Sequence, residues 1–495
     1  MNILLVRPPF TRLRGVGQAP YFPIGIGSIA AALEASGFDV HLYYPENAPK
    51  HEIRPVVHKA GVFHNRRQAH QRYLAALHHS THPCWEEWRQ VLREIEPDVI
   101  GFSVLTPEVG AARVMSQTAR ALLPSVRIIW GGVHPTFLPN ECLDYPEVDA
   151  VVRGEGEHSM VELCRRLSSA GDLSQIPGVS SRQAGATQHQ PCPPLIEHLD
   201  TLALPARHLT LFSERFAPAA WGTVMTSRGC PWRCGFCSSR VFWQKIVRFR
   251  SAESVVDEIQ HVQQRYGTRN FTFWDDAFTL DIERAAALCQ LLLSRNARIS
   301  WRTATRLDLI TPPLLKLMKR SGCTQVEVGI ESGSPRMLRD MKKDIDLDKV
   351  ADAISMVARE GIACGTFFMA GFPSETLADL QQTRQFMERI KPAEIVLNVF
   401  DPMPGSDHYA EAQALNLLPD TIDWSDFPLW PDHHYVKHIP REQFDQALED
   451  MASYVFTYNR SPRALLKRVL PEAVMLLQRD PLTLIKKIAR QLHRK

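Results

Sequence analysis

The sequence predicts an α/β protein made of a doubly wound, Rossmann-like parallel sheet, a partial (β/α)6 barrel of the TIM type and a helical C-terminal extension. Three observations predict it. Over the first 160 or so residues, apolar β-rich runs alternate with amphipathic helical patterns, as in a parallel sheet covered by helices. Between Trp221 and Asp407 six such runs recur with helical patterns between them, which fits a partial barrel. From Tyr409 onward the pattern is mostly helical.

In chain order, Asn2 to Val6 reads as the first strand, Ile24 to Ser36 as an Ala-rich helix stopped by Gly37, and Val40 to Tyr44 as the second strand. Val99 to Ser103 and Arg127 to Trp130 are further strands, separated by a helix from Ala111 to Leu123. The strand ends carry PPF, SVLTPE, GGVHP and RGEGE, and in doubly wound sheets ligands bind at those carboxyl ends. The barrel strands are Thr223–Thr226, Asn270–Phe273, Ile299–Thr303, Gln325–Ile330, Ala363–Met369 and Glu394–Phe400. These readings divide the chain into a domain over 1–160, a linker over 161–214, a barrel over 215–408 and a helical domain over 409–495. A His-rich insertion at about 46–85, with His51, His58, His64, His70, His78, His79 and His82 irregularly spaced, reads as a solvated helical surface. Asp480-Pro481 opens a last helix with Leu482, Ile485, Ile488 and Leu492 on one face and Lys486, Lys487, Arg490, Arg494 and Lys495 around it. Docking on an anionic membrane and packing on its own barrel are both open to such a helix.

At 495 residues and 44% hydrophobic content the chain has room for about three folded units. A net charge of +3 gives no reason to expect nucleic acid. MNILLVRPPF lacks the order of a signal peptide, and no apolar run approaches the roughly 20 residues of a spanning helix, so a cytoplasmic protein is expected. Of ten cysteines, Cys84, Cys142, Cys164, Cys192, Cys289, Cys323 and Cys364 are scattered and read as ordinary thiols.

The other three form SRGCPWRCGFCSS, where Cys230, Cys234 and Cys237 follow a C-x3-C-x2-C spacing after the first barrel strand. A closed structural zinc site needs a fourth ligand, yet the next His is His261 and the next Cys is Cys289. Three thiolates can instead face one iron–sulfur cubane and leave one iron open. With FWDDAFTLD, WRTATRLD, VEVGIESGS, GTFFMAGFPSET and FDPMPGS following in order, this loop resembles the signature of the radical S-adenosylmethionine (SAM) enzymes. The resemblance implies a [4Fe–4S] cluster on Cys230, Cys234 and Cys237, SAM on the open iron, and SAM contacts from Phe236, Asp276, Glu331, Ser332 and Gly371. Asp275 competes with Asp276 for the SAM ammonium, and Pro373 shares the turn with Gly371.

The N-terminal part is similar to the cobalamin-binding domain that precedes many such barrels. The residues that carry this are Pro23, Ser103, Thr106, Gly131, Gly132, His134, Gly154 and Glu155, taken as cobalamin contacts. The segment TRLRGVGQAPYFPIGIG has no His in place of the D-x-H-x-x-G of many cobalamin domains, which implies a lower cobalt position held by water or empty. This matches the branch that resembles the anaerobic magnesium-protoporphyrin monomethyl ester cyclase and the class B radical SAM methyltransferases. The function implied is C-methylation at an unactivated carbon through methylcobalamin and a 5′-deoxyadenosyl radical, on a small-molecule substrate, a lipid-like one included. A reduced flavodoxin or ferredoxin is the implied electron donor. Oxidative cyclisation or ring rearrangement with the same cofactors is the alternative, and a cluster- and cobalamin-binding sensor is the rival of another class. A tRNA methylthiotransferase is disfavoured, because Cys84 and Cys142 are too few for a second cluster.

Overall fold

The computed structural model describes residues 1–15, 21–49, 62–169, 171, 173, 175–183, 185–425 and 435–479. Five parallel strands, β1 (Asn2–Val6), β2 (Asp39–Tyr43), β3 (Val99–Ser103), β4 (Arg127–Gly131) and β5 (Ala150–Val152), stand in the order β2-β1-β3-β4-β5. Reversal of direction beside β1 creates the crevice at which such sheets hold ligands. Their nearly unbroken apolar runs fit a sheet buried on both faces, with Ile24–Ala35 and Gly156–Ser168 on one side and Pro83–Ile95 and Val109–Leu122 on the other.

Two strands lie in the stretch read as linker: β6 (Val179–Gln183) pairs antiparallel with β5, and β7 (Ala186–His189) with β6. The hairpin turns at Gly185, whose φ is +83°, and its outer strand, ATQH, is exposed throughout and carries no large apolar residue, so hydropathy alone concealed it. The His-rich insertion also departs from a purely solvated surface. Within Val62–His78, His70 and Tyr73 are buried, and the Tyr73 hydroxyl donates to Pro107 O and accepts from the Ala111 amide. His51 and His58 lie outside the described residues.

After β8 (Thr223–Val224), a short antiparallel hairpin, β9 (Ser227–Arg228) with β10 (Arg248–Phe249), carries the cysteine loop. The barrel continues through β11 (Asn270–Phe273), β12 (Ser300–Thr305), β13 (Cys323–Glu331), β14 (Ala363–Ala370) and β15 (Glu394–Val399), all parallel and in sequential order from β8 to β15. Helices Asp407–Ala414, Arg441–Arg460 and Pro462–Arg479 follow, while the face read over 482–495 lies outside the described residues. Among the described residues no helix is long and apolar enough to cross a membrane.

The two sheets are joined by apolar and ionic contacts. Trp221 stacks on Phe216 and Tyr266 at 4.5 Å each and meets Phe22 at 5.9 Å, which makes one core continuous from the first sheet into the barrel. Above it, Glu155 accepts from Arg228 (2.5 Å) and Arg248 (2.7 Å), while Glu157 accepts from Arg228 (2.6 Å). The Ile196 amide adds a further 2.7 Å bond to Glu155. Burial works to raise the Glu155 carboxyl, but the Arg248 and Arg228 guanidiniums override it and hold the group below the ordinary 4.5.

Glu155→Ala would leave the buried Arg248 guanidinium without its carboxylate and Arg228 with Glu157 alone, a loss of about 3–5 kcal/mol that a denaturant titration will register. Because the folded Glu155 titrates below its unfolded value, its contribution is complete above pH 4.5 and disappears as pH falls through the lower folded value. The melting-temperature gap between the parent and Glu155→Gln is therefore expected to be constant near neutrality and to close in acid below 4.5.

Candidate functional site

The cysteine loop is closed by backbone more than by side chains. Gly229 has φ +103°, and a Cβ there would meet the Ile246 carbonyl oxygen at 2.1 Å, so only glycine fits as the strand enters the loop. The Gly235 amide donates to Met341 O (2.8 Å), the His408 amide donates to Gly235 O (2.9 Å), and the Cys237 amide donates to Cys234 O (3.1 Å). These bonds curl the three cysteines along one short stretch. All three are free thiols; Cys230 and Cys234 are half-buried and Cys237 is exposed. Surrounding protein raises all three, Cys237 to about 11, and for Cys234 the nearby Lys343 and Arg306 only partly oppose the effect. Neighbouring cations alone do not form thiolates here. Three thiol donors on one strained loop suit an iron–sulfur cubane, whose iron supplies the missing positive charge.

The residues expected at SAM fall into two groups. Asp276 accepts from Ser239 Oγ (2.7 Å) and from the Gly229 amide, which sets its carboxylate beside the loop. Phe236 packs edge-on against Phe372 (6.2 Å) with the Lys343 ammonium 6.0 Å from its ring. Glu331, at φ +72°, pairs with Lys343 (3.0 Å). Ser332 and Gly371 are engaged differently. Ser332 Oγ is fully buried against Thr383 Oγ1 (3.0 Å), and the Gly371 amide donates to Glu375 (2.5 Å). Asp275 holds the turn ahead of the loop: it accepts from the amides of Thr226 (2.7 Å) and Ser227 (2.8 Å) and from Thr226 Oγ1 (2.5 Å). Its carboxylate is spent on positioning. Pro373 O accepts from the Lys437 amide.

A cavity of about 420 Å³ separates the loop hairpin from the first sheet. Pro23, Ser103, Gly131, Gly132, Gly154 and Glu155 line one side, and Met225, Arg228, Trp243 and Trp274 line the other. Gly132 (φ +99°) has no room for a Cβ, which would sit 2.9 Å from the Val104 nitrogen, whereas the space above Gly154 (φ +72°) is open. Such backbone-lined walls accept a large planar ligand closely. Tyr21 and Trp274 meet across the cavity at 4.6 Å. Thr106 and His134 are not among its lining. His134 is buried against Thr106 Oγ1 (3.3 Å) and the edge of Trp424 (4.8 Å), and burial pushes its imidazole down to about 3.

Three residues of this site were not singled out in the sequence. Arg228 stands one residue before the loop glycine, and Glu375, with its carboxyl pushed by burial to about 8, lies inside AGFPSET. Both were legible as charges inside a motif. Lys343 sits in MKKDID, an ordinary polar tract with nothing to mark it.

A three-thiol loop at the mouth of a partial barrel, facing a ligand cavity at a doubly wound sheet, defines a metalloenzyme with two adjoining cofactor sites. The chain belongs to the cobalamin-binding radical SAM family and is a cobalamin-dependent radical SAM enzyme. The family model described as Radical SAM superfamily matches residues 224–387, and that described as B12 binding domain matches 13–164. An uncharacterized methyltransferase of Pyrococcus horikoshii is 31% identical over 392 residues, 79% of this chain and 84% of the relative. Cytidylyl-2-hydroxyethylphosphonate methyltransferase of Streptomyces wedmorensis is 27% identical over 82% of this chain and 80% of its own. Anaerobic magnesium-protoporphyrin IX monomethyl ester cyclase of Rubrivivax gelatinosus is 27% identical over 69% and 62%. In fold, the chain is similar to the radical SAM methyltransferase TsrM of Kitasatospora setae, with TM-score 0.65, 18% identity and coverage of 85% of this chain and 81% of that one. The cofactors are a [4Fe–4S] cluster, SAM and cobalamin.

Gly229→Ala is expected to cut iron and sulfide incorporation by about tenfold or more without unfolding the barrel, read by iron analysis and by circular dichroism. If these three thiols hold the cluster, replacing Cys230, Cys234 or Cys237 by Ala should abolish both the brown absorbance and SAM cleavage.

Proposed function

We propose that this chain is a C-methyltransferase acting on an unactivated carbon of a small molecule. The observation that carries the reading is the position of the cavity, walled by the strand ends of the first sheet on one side and by residues flanking the cysteine loop on the other. Relatives named as methyltransferases support it. When bound, the cluster and SAM supply radical chemistry at the barrel mouth and cobalamin supplies a methyl-group carrier.

The chain's own side chains hold and screen these groups. Cys230, Cys234 and Cys237 would be the cluster ligands, Asp276 the acceptor for the SAM ammonium, and Lys343 a cation for its carboxylate, with Phe236 and Gly371 on the adenosyl side. Pro23, Ser103, Gly131, Gly132 and Gly154 would cradle the corrin. Glu155 is assigned to the joint between the sheets, and Glu331 and Ser332 to support of the barrel mouth. Tyr21 and Trp274 narrow the passage. Among the described residues no His lines the cavity, so this wall would offer cobalt no imidazole. A reduced flavodoxin or ferredoxin would supply electrons.

The cyclase relatives favour a second reading, oxidative cyclisation without net methylation. The experiment that separates the two incubates reconstituted enzyme with reductant, candidate substrates and SAM carrying a labelled methyl group. Product that carries the label together with 5′-deoxyadenosine supports C-methylation. Product formed with 5′-deoxyadenosine but without label overturns it in favour of cyclisation.

A further inference from the structure

We propose that the helix Pro462–Arg479 docks this enzyme on an anionic lipid surface. Its inward side packs Ala464, Pro471, Met475 and Leu476. Its outward side keeps Leu466, Val469, Leu470 and Leu477 at 61, 54, 49 and 63% exposure. These four positions recur at i, i+3, i+4 and i+11, so they form a single stripe along the helix rather than scattered surface leucines.

One edge of the stripe is cationic. Lys467 donates to the Lys391 carbonyl (2.7 Å), and burial together with the charges of Arg463 and Lys391 lowers its ammonium. Among the described residues, no salt bridge forms to Arg463 or Lys391, while Arg468 is occupied by Glu394 at 3.0 Å. The sequence 460–495 holds ten Lys and Arg against Glu472 and Asp480, in a chain whose net charge is +3. An apolar stripe edged by cations fits a bilayer interface that carries negative headgroups.

Charge also selects among the occupants. A second copy docked by a two-fold axis would bring two cationic edges together. A lipid surface supplies apolar depth and negative charge at once. The Lys391 and Glu394 contacts fix the helix start at the amino end of β15, opposite the cysteine loop, so docking leaves the barrel mouth clear.

The test is flotation of the full-length protein with phosphatidylcholine vesicles, with and without phosphatidylglycerol, at low and high salt. At least about tenfold more protein should float with the anionic vesicles, and high salt should reduce it. Leu466→Glu with Leu470→Glu should abolish binding at an unchanged melting temperature, since both side chains are exposed, and Arg463→Glu should lower it about fivefold. Equal binding to neutral vesicles, no binding, or binding untouched by the double substitution would overturn the proposal. So would a lipid-free dimer that the double substitution dissociates, which would give the face to a second copy.

Discussion

The carboxylate of Glu155 is the contact on which the relation between the two sheets depends. It stands at the end of the first sheet and takes Arg228 from β9 and Arg248 from β10, the two strands that support the cysteine loop. Buried ions of this kind cost desolvation that only full pairing returns, so they act less as a source of stability than as a demand for one geometry. The demand here is specific. Glu155 and Arg228 themselves line the cavity, and Gly229 follows Arg228, so the ionic joint is part of the cavity wall and lies one residue from the loop entry. A shift of either sheet would leave a charge unpaired before it opened the cavity.

The loop shows the same economy. Asp275 spends both oxygens on Thr226 and Ser227, Gly229 closes against Ile246, and Gly235 is held between Met341 and His408. The side chains left over are the cysteines, raised by their surroundings, and a flanking set of Asp276, Lys343 and Arg306 with charges of both signs. Backbone fixes where the thiols are, and a bound cluster would supply the positive charge that favours their thiolate form.

Much of this was legible in the sequence because it rests on local pattern. Six barrel strands were marked by β-branched and apolar runs, and the cysteine loop by a spacing with few competing explanations. What escaped was decided by tertiary partners. The polar hairpin β6–β7 has no buried face of its own in β7, and only its register on β5 makes it a strand. Lys343 looked like any lysine until the fold brought it to Glu331, twelve residues earlier. Asp275 and Asp276 are adjacent in sequence yet diverge, one into the turn before the loop and the other toward it, because successive strand-end residues point to opposite sides.

His134 bears on the chemistry itself. It belongs to GGVHP, a strand-end motif where a ligand contact was expected, yet its Nδ1 meets Thr106, its ring stands against Trp424, and burial keeps it neutral. Trp424 in turn donates to Glu141, so the imidazole belongs to the seam between the first domain and the segment after the barrel. With that ring turned away, the described wall of the first sheet offers glycine backbone, Ser103 and Pro23, none of which coordinates cobalt as an imidazole does. The barrel side brings Trp274 and Trp243 to the same cavity, so the glycine-lined wall of the sheet faces aromatic side chains rather than a nitrogen ligand.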